Sequence, residues 1–134
     1  MVPFKYQISN FLRNAGIQFA EVGDSIGFKM YGPSDQILTF IAGGDEDTNE
    51  ISLITYVNPN TGRFNSSLYR IVNELNSNSD AVRLAVMDDD PRQSMYGWIS
   101  MQIQYFTNLG NFDELFDRML RMLLNQAEEV MNKV

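Results

Sequence analysis

Carboxylates and carboxamides are the side chains whose types and spacing could do chemistry in this sequence of 134 residues. Asp45, Asp47 and Asn49 in DEDTNE reproduce D-x-D-x-N, the first half of an EF-hand calcium loop, in which alternate side chains turn oxygens toward one cation. The pattern then fails. Glu50 stands where glycine makes the sharp turn, and Tyr56 stands where a bidentate glutamate belongs. Asp88 and Asp90 are spaced to share a cation, but Arg92 takes the next alternate position and Pro91 marks a turn. Asn73 and Asn76 lie three residues apart in VNELN, at helical spacing. Asparagine inside a helix costs about a few tenths of a kcal/mol relative to alanine. The pair therefore reads as structural, amides bonded to a neighbouring strand or loop, with a ligand site as the alternative.

What is absent narrows the chemistry further. There is no histidine, the commonest general base and metal ligand, and no cysteine. Ser-His-Asp and Cys-His constellations, thiolate zinc sites and disulfides are thereby excluded. No phosphate-binding loop, dinucleotide fingerprint or G-x-S-x-G elbow is present. An enzyme would need a mechanism built from carboxylates alone, so no catalytic residue, cofactor or metal is assigned and the expectation is a non-enzyme. Acidic residues number 17 against 10 basic, a formal charge of −7, which repels phosphate backbones and disfavours nucleic acid. No apolar run approaches a membrane span, and MVPFKYQISNFLRN lacks the basic-then-apolar form of a signal peptide. A cytoplasmic protein without membrane contact is expected.

The elements that must position these residues follow from periodicity. Phe4, Ile8, Phe11 and Leu12 recur at helical spacing before Gly16, which predicts a first helix over 3–15. IQFAEV-GDS-IGFKMYG reads as a hairpin with a Gly-containing turn, its first arm either a paired strand or extended chain. QILTFIA (36–42) and ISLITYV (51–57) are strands joined by the acidic loop. A second helix opens near Asn65 or Ser66 as N-cap and carries Leu68, Ile71, Val72 and Leu75. AVRLAVM (81–87) is a strand. Ile99, Met101, Ile103 and Tyr105 then alternate with Ser100, Gln102 and Gln104, the cleanest period of two in the chain. A third helix runs from about Phe112 to Asn132, with Glu114 in an acidic first turn. The order α-β-β-β-α-β-β-α predicts one α+β domain over 1–134, an antiparallel sheet with segregated helices.

Two surfaces stand out as able to bind. On the third helix Phe112, Phe116, Met119, Leu123, Ala127 and Val130 form one stripe. Leu120, Leu124 and Met131 widen it on one flank, so that the apolar sector spans about half the helix, more than one sheet contact requires. Either the helix lies in a deep groove of its own domain or this flank meets another chain. On the sheet, Tyr96 and Trp98 alternate to the face opposite Ile99, and Ile54 and Tyr56 alternate against Leu53 and Val57. Aromatic residues on a second face mark an interaction site.

In VNELN (72–76), AVRLAVMDD (81–89), YGWISMQIQYF (96–106) and NFDELFDRMLRMLLNQ (111–126), the chain resembles the YbjN-like family, whose fold is that of type III secretion chaperones. The shared parts are a helix with paired asparagines, two strands and a long terminal amphipathic helix. Helix 1, the GDS turn and the strands flanking DEDTNE extend the resemblance over nearly the whole chain. It implies a small, acidic, non-enzymatic protein that acts through protein contacts. Secretion chaperones of this fold form homodimers and hold partner segments extended along their surface. YbjN-like proteins are associated with regulation of motility, stress responses or other cell-surface traits. No catalytic residues carry over, and Asn73 and Asn76 carry over as a structural signature.

The reading that results is a homodimeric binding module that takes a polypeptide partner through Tyr96, Trp98, Leu120 and Leu124. The alternative is a small-ligand or cation-responsive regulator that uses the acidic loops at 45–50 and 88–90.

Overall fold

The computed structural model describes residues 3–59, 67–78, 81–87, 90, 92–95, 97–107 and 111–133, with Ser34 and Ser67 through their backbone alone. The expected caps Asn65 and Ser66, and Asp88, Pro91 and Tyr96, lie outside the described residues. In chain order the elements are α1 (Phe4–Asn14), β1 (Phe19–Val22), β2 (Ser25–Tyr31), β3 (Ile37–Asp45), β4 (Glu50–Val57), α2 (Ser67–Asn78), β5 (Val82–Val86), β6 (Ile99–Phe106) and α3 (Phe112–Lys133). A 3-10 turn at Pro33–Asp35 joins β2 to β3.

The six strands form one sheet in the order β1-β2-β3-β4-β6-β5, and each neighbour pair is antiparallel. The element order is therefore α-β-β-β-β-α-β-β-α. It corrects the expected order by one strand, because the first hairpin arm is paired. Gly23, at φ 62°, lets a two-residue turn bring Val22 opposite Ser25, which carries Phe19 opposite Phe28. Only Phe19 of the four residues is even partly buried, so this arm has no alternation for a sequence reading to find.

Period-2 alternation decides which face is covered. Phe28, Phe40, Leu53, Leu84, Met101 and Ile103 turn to one side, where all three helices pack. The register makes this continuous, with Phe28 opposite Phe40, Leu53 opposite Ile103 and Met101 opposite Leu84. Thr55 is the polar member of this buried face, and its hydroxyl donates to the Thr39 carbonyl at 2.8 Å.

Phe116 of α3 is the aromatic centre of the core. Its ring lies 4.9 Å from Phe11 of α1, 5.6 Å from Phe112 and 6.4 Å from Phe28 of β2. One side chain thus joins two helices to the sheet.

The acidic β3–β4 loop holds α1 in place. Glu46 accepts the Phe4 N–H at 2.8 Å, supplying an anion to a helix start that has no side-chain cap of its own. Beneath it, α1 approaches β3 closely at Gly44, where a Cβ would stand 2.5 Å from the Phe4 ring. Gly44→Ala should therefore cost about 1–3 kcal/mol by overpacking. Gly43→Ala, on the opposite face, should cost less. Urea unfolding checks this, and equal midpoints for wild type and Gly44→Ala would refute the close approach.

Candidate interaction surfaces

The sheet face without helices is where sequence and fold leave apolar groups in solvent. Alternation that buries Phe28, Phe40 and Leu53 necessarily turns Tyr31, Ile41 and Ile54 outward. Ile41 and Ile54 oppose each other at the centre, while Tyr31 pairs with Ile37 toward one end. Tyr31 is 76% exposed and Phe106, at the other end, 71%. Lys29 and Arg83 share this face, and Gln102 sits between Ile54 and Arg83 in one cross-strand row.

Trp98 precedes β6 at the end of the sheet. It is half-buried, and its carbonyl accepts the Met87 N–H at 2.8 Å, continuing the β5–β6 pairing by one step. Leu124 is also half-buried. It lines a cleft of about 420 Å³ with Tyr31, Gly32, Pro33 and Met131, rimmed by Glu128. Trp98 lies outside that cleft. Leu120 is different: at 4% exposure it belongs to the core, so the single chain offers nothing of it to a partner. The flank of α3 is thus divided, with Leu120 in the domain's own core and Leu124 and Met131 at a cleft edge.

A larger groove, about 740 Å³, runs beside β1 and the end of β2, lined by Ile17, Phe19, Met30 and Tyr31 among others. There β1 has ended at Phe19 while β2 continues through Lys29, Met30 and Tyr31, paired on its β3 side. The exposed Tyr31, Ile37, Ile41 and Phe106 were not singled out from the sequence. Their signal was the polar-side position of Tyr31 in SIGFKMY and of Phe106 in SMQIQYF.

The two asparagines have unlike surroundings. Asn76 exchanges two hydrogen bonds with the backbone of Leu84, at 2.9 and 2.8 Å. Asn73 is exposed, and its backbone carbonyl accepts the Ser77 hydroxyl.

The charged groups form local pairs. Lys133 donates to Glu74 at 2.8 Å, tying the end of α3 to α2, and this hydrogen bond, with the ammonium charge behind it, holds the Glu74 carboxyl below its ordinary pKa. Asp90 is lowered likewise by the Arg92 side chain and then by its N–H, and Arg92 is raised in return by the same contact. In the acidic loop Asp45 accepts the Asp47 N–H at 2.9 Å, and Asn49 adopts φ 58°. Among the described residues no group of three or more acidic side chains is arranged to hold a metal ion. No helix among them is long and apolar enough to cross a membrane.

No family model and no curated protein matches this sequence. Solved structures do match the fold. YbjN from E. coli, a proposed transcription regulator, superposes with a TM-score of 0.62 at 13% identity, over 98% of this chain and 92% of that one. A chain of the ExsC–ExsE complex gives 0.64 at 11% identity, over 98% and 96%. The chain therefore has a YbjN-like, type III secretion chaperone-like α+β fold.

Proposed function

We propose, from the fold this chain has in common with YbjN and with a chain of the ExsC–ExsE complex, that it is a non-enzymatic protein-binding module of the cytosol. It forms a homodimer and holds a polypeptide on apolar surface, in a chaperone-like or regulatory role. The observation that carries this reading is the helix-free sheet face, on which Tyr31, Ile37, Ile41 and Phe106 stand exposed. Apolar residues grouped on one face of a small acidic protein fit an interface more than they fit solvent. The ExsC–ExsE complex lends support, because there the same fold occurs in a protein–protein complex. Leu124 of α3 at its cleft and Trp98, just before β6 at the sheet end, are assigned as contacts. Tyr96 joins them through its sequence position two residues before Trp98. Leu120 drops out of the contact set because it is core.

The test is affinity capture from the source cell's extract and measurement of native mass, comparing wild type with Leu124→Glu and Trp98→Ala. Each variant should lose a stoichiometric partner or the self-association while its far-UV circular dichroism stays that of wild type. Two folded variants that retain both the partner and the native mass would remove these residues from the site.

A further inference from the structure

We infer that Asn76 is a strand-edge plug, an autoinhibitory contact that keeps β5 from pairing with the β5 of a second copy. Among the described residues β5 is an edge strand, with β6 as its strand neighbour on one side. The backbone groups on the other side of such a strand are a template for another chain. Leu84 is the middle residue of β5. The Asn76 Nδ2 donates to its carbonyl at 2.9 Å, and its N–H donates to the Asn76 Oδ1 at 2.8 Å. A carboxamide carries the same donor and acceptor as a peptide group, so at the middle of the edge Asn76 occupies two of the positions that a neighbouring strand would use. It comes from the last turn of α2, the helix packed along β5.

The same device recurs where β3 and β4 run out. There the Gln36 carboxamide donates to the Asn58 carbonyl at 2.9 Å and accepts its N–H at 2.8 Å. At the opposite edge of the sheet the solution differs. β1 has four residues, and its Glu21 is held by Lys5 of α1 at 3.2 Å. Two β5 strands brought antiparallel about a two-fold axis would place Leu84 opposite Leu84, each exchanging the N–H and C=O that Asn76 now engages. The plug and that pairing compete for the same two groups. This inference does not depend on the proposed partner surfaces, since it concerns the edge of the sheet and not its face.

Asn76→Leu removes both hydrogen bonds at similar side-chain size. The variant should self-associate, by analytical ultracentrifugation, at a protein concentration at least about tenfold below any self-association of wild type. Asn73→Ala, one turn earlier and exposed, should leave wild-type behaviour. A folded Asn76→Leu with the wild-type concentration dependence would overturn the inference, and so would equal association of Asn73→Ala. If Asn76→Leu does not fold, hydrogen exchange in wild type decides. A Leu84 amide protected as well as the β6 amides supports the plug, and exchange at the open-chain rate overturns it.

Discussion

Phe116→Ala is expected to lower the unfolding free energy by about 3–5 kcal/mol, the range for removing a large aromatic ring from a packed core. The ring is fully buried and lies within 6.4 Å of Phe11, Phe28 and Phe112, which come from two helices and the sheet. Truncation takes away the apolar area and opens a cavity that none of these elements can fill without moving relative to the others. Aromatic pairing adds roughly 0.5–1.5 kcal/mol per pair beyond burial, which places this site toward the upper part of the range. A domain of this size has about 5–15 kcal/mol in total, so a large share of the stability is at stake. Urea unfolding measures the loss. A change below about 1 kcal/mol would mean that α1 and α3 close over the gap, and that the junction is not as rigid as its ring geometry suggests.

Leu120→Glu and Leu124→Glu are expected to separate sharply, although the two positions are one helical turn apart on α3. Leu120 is buried at 4% exposure among apolar side chains, so a carboxylate there must be desolvated or protonated at a cost of several kcal/mol. Leu124 borders the cleft with Tyr31 and Pro33, where a carboxylate can reach water. Thermal melts followed by circular dichroism should show Leu120→Glu unfolded, or melting many degrees below wild type, with Leu124→Glu close to wild type. A Leu120→Glu protein with a near-native melting temperature would return Leu120 to the surface. Collapse of Leu124→Glu would make that residue core and withdraw it from the proposed contacts.

These two leucines also mark how far periodicity reaches. The stripe through Phe112, Phe116, Met119 and Leu123 was legible because the helix buries one continuous face, and all four are core. The boundary of the stripe was not legible, since the width of the covered sector depends on which distant residues the fold sets beside α3, which no local pattern encodes. The strands divide in the same manner. β6 has a full alternation between core and solvent and reads directly from Ile99, Met101 and Ile103, whereas β1 buries only part of Phe19 and exists through its pairing with β2. Of the candidate surface, Ile54 and Tyr56 could be placed by alternation, but the exposure of Tyr31 and Phe106 depends on the helices all choosing the other face. The spacing of Asn73 and Asn76 was visible. That Asn76 engages a strand residue eight positions on while Asn73 faces solvent is set by the turn of α2 that meets β5.

The place of β6 in the sheet has a consequence for how the chain folds as it is made. β6 lies between β4 and β5, yet it follows both in sequence. Until β6 has been synthesised, β4 lacks its second strand neighbour and β5 lacks the strand it pairs with. The N-terminal four strands can form a meander beforehand, but its outer edge at β4 stays open until β6 arrives, and α3, which packs on β4, follows later still. Closure is therefore a single late event that unites strands from both halves of the chain. A chain halted between α2 and β6 would present β4 with an open edge, the kind of exposed strand that makes incomplete folds prone to aggregate.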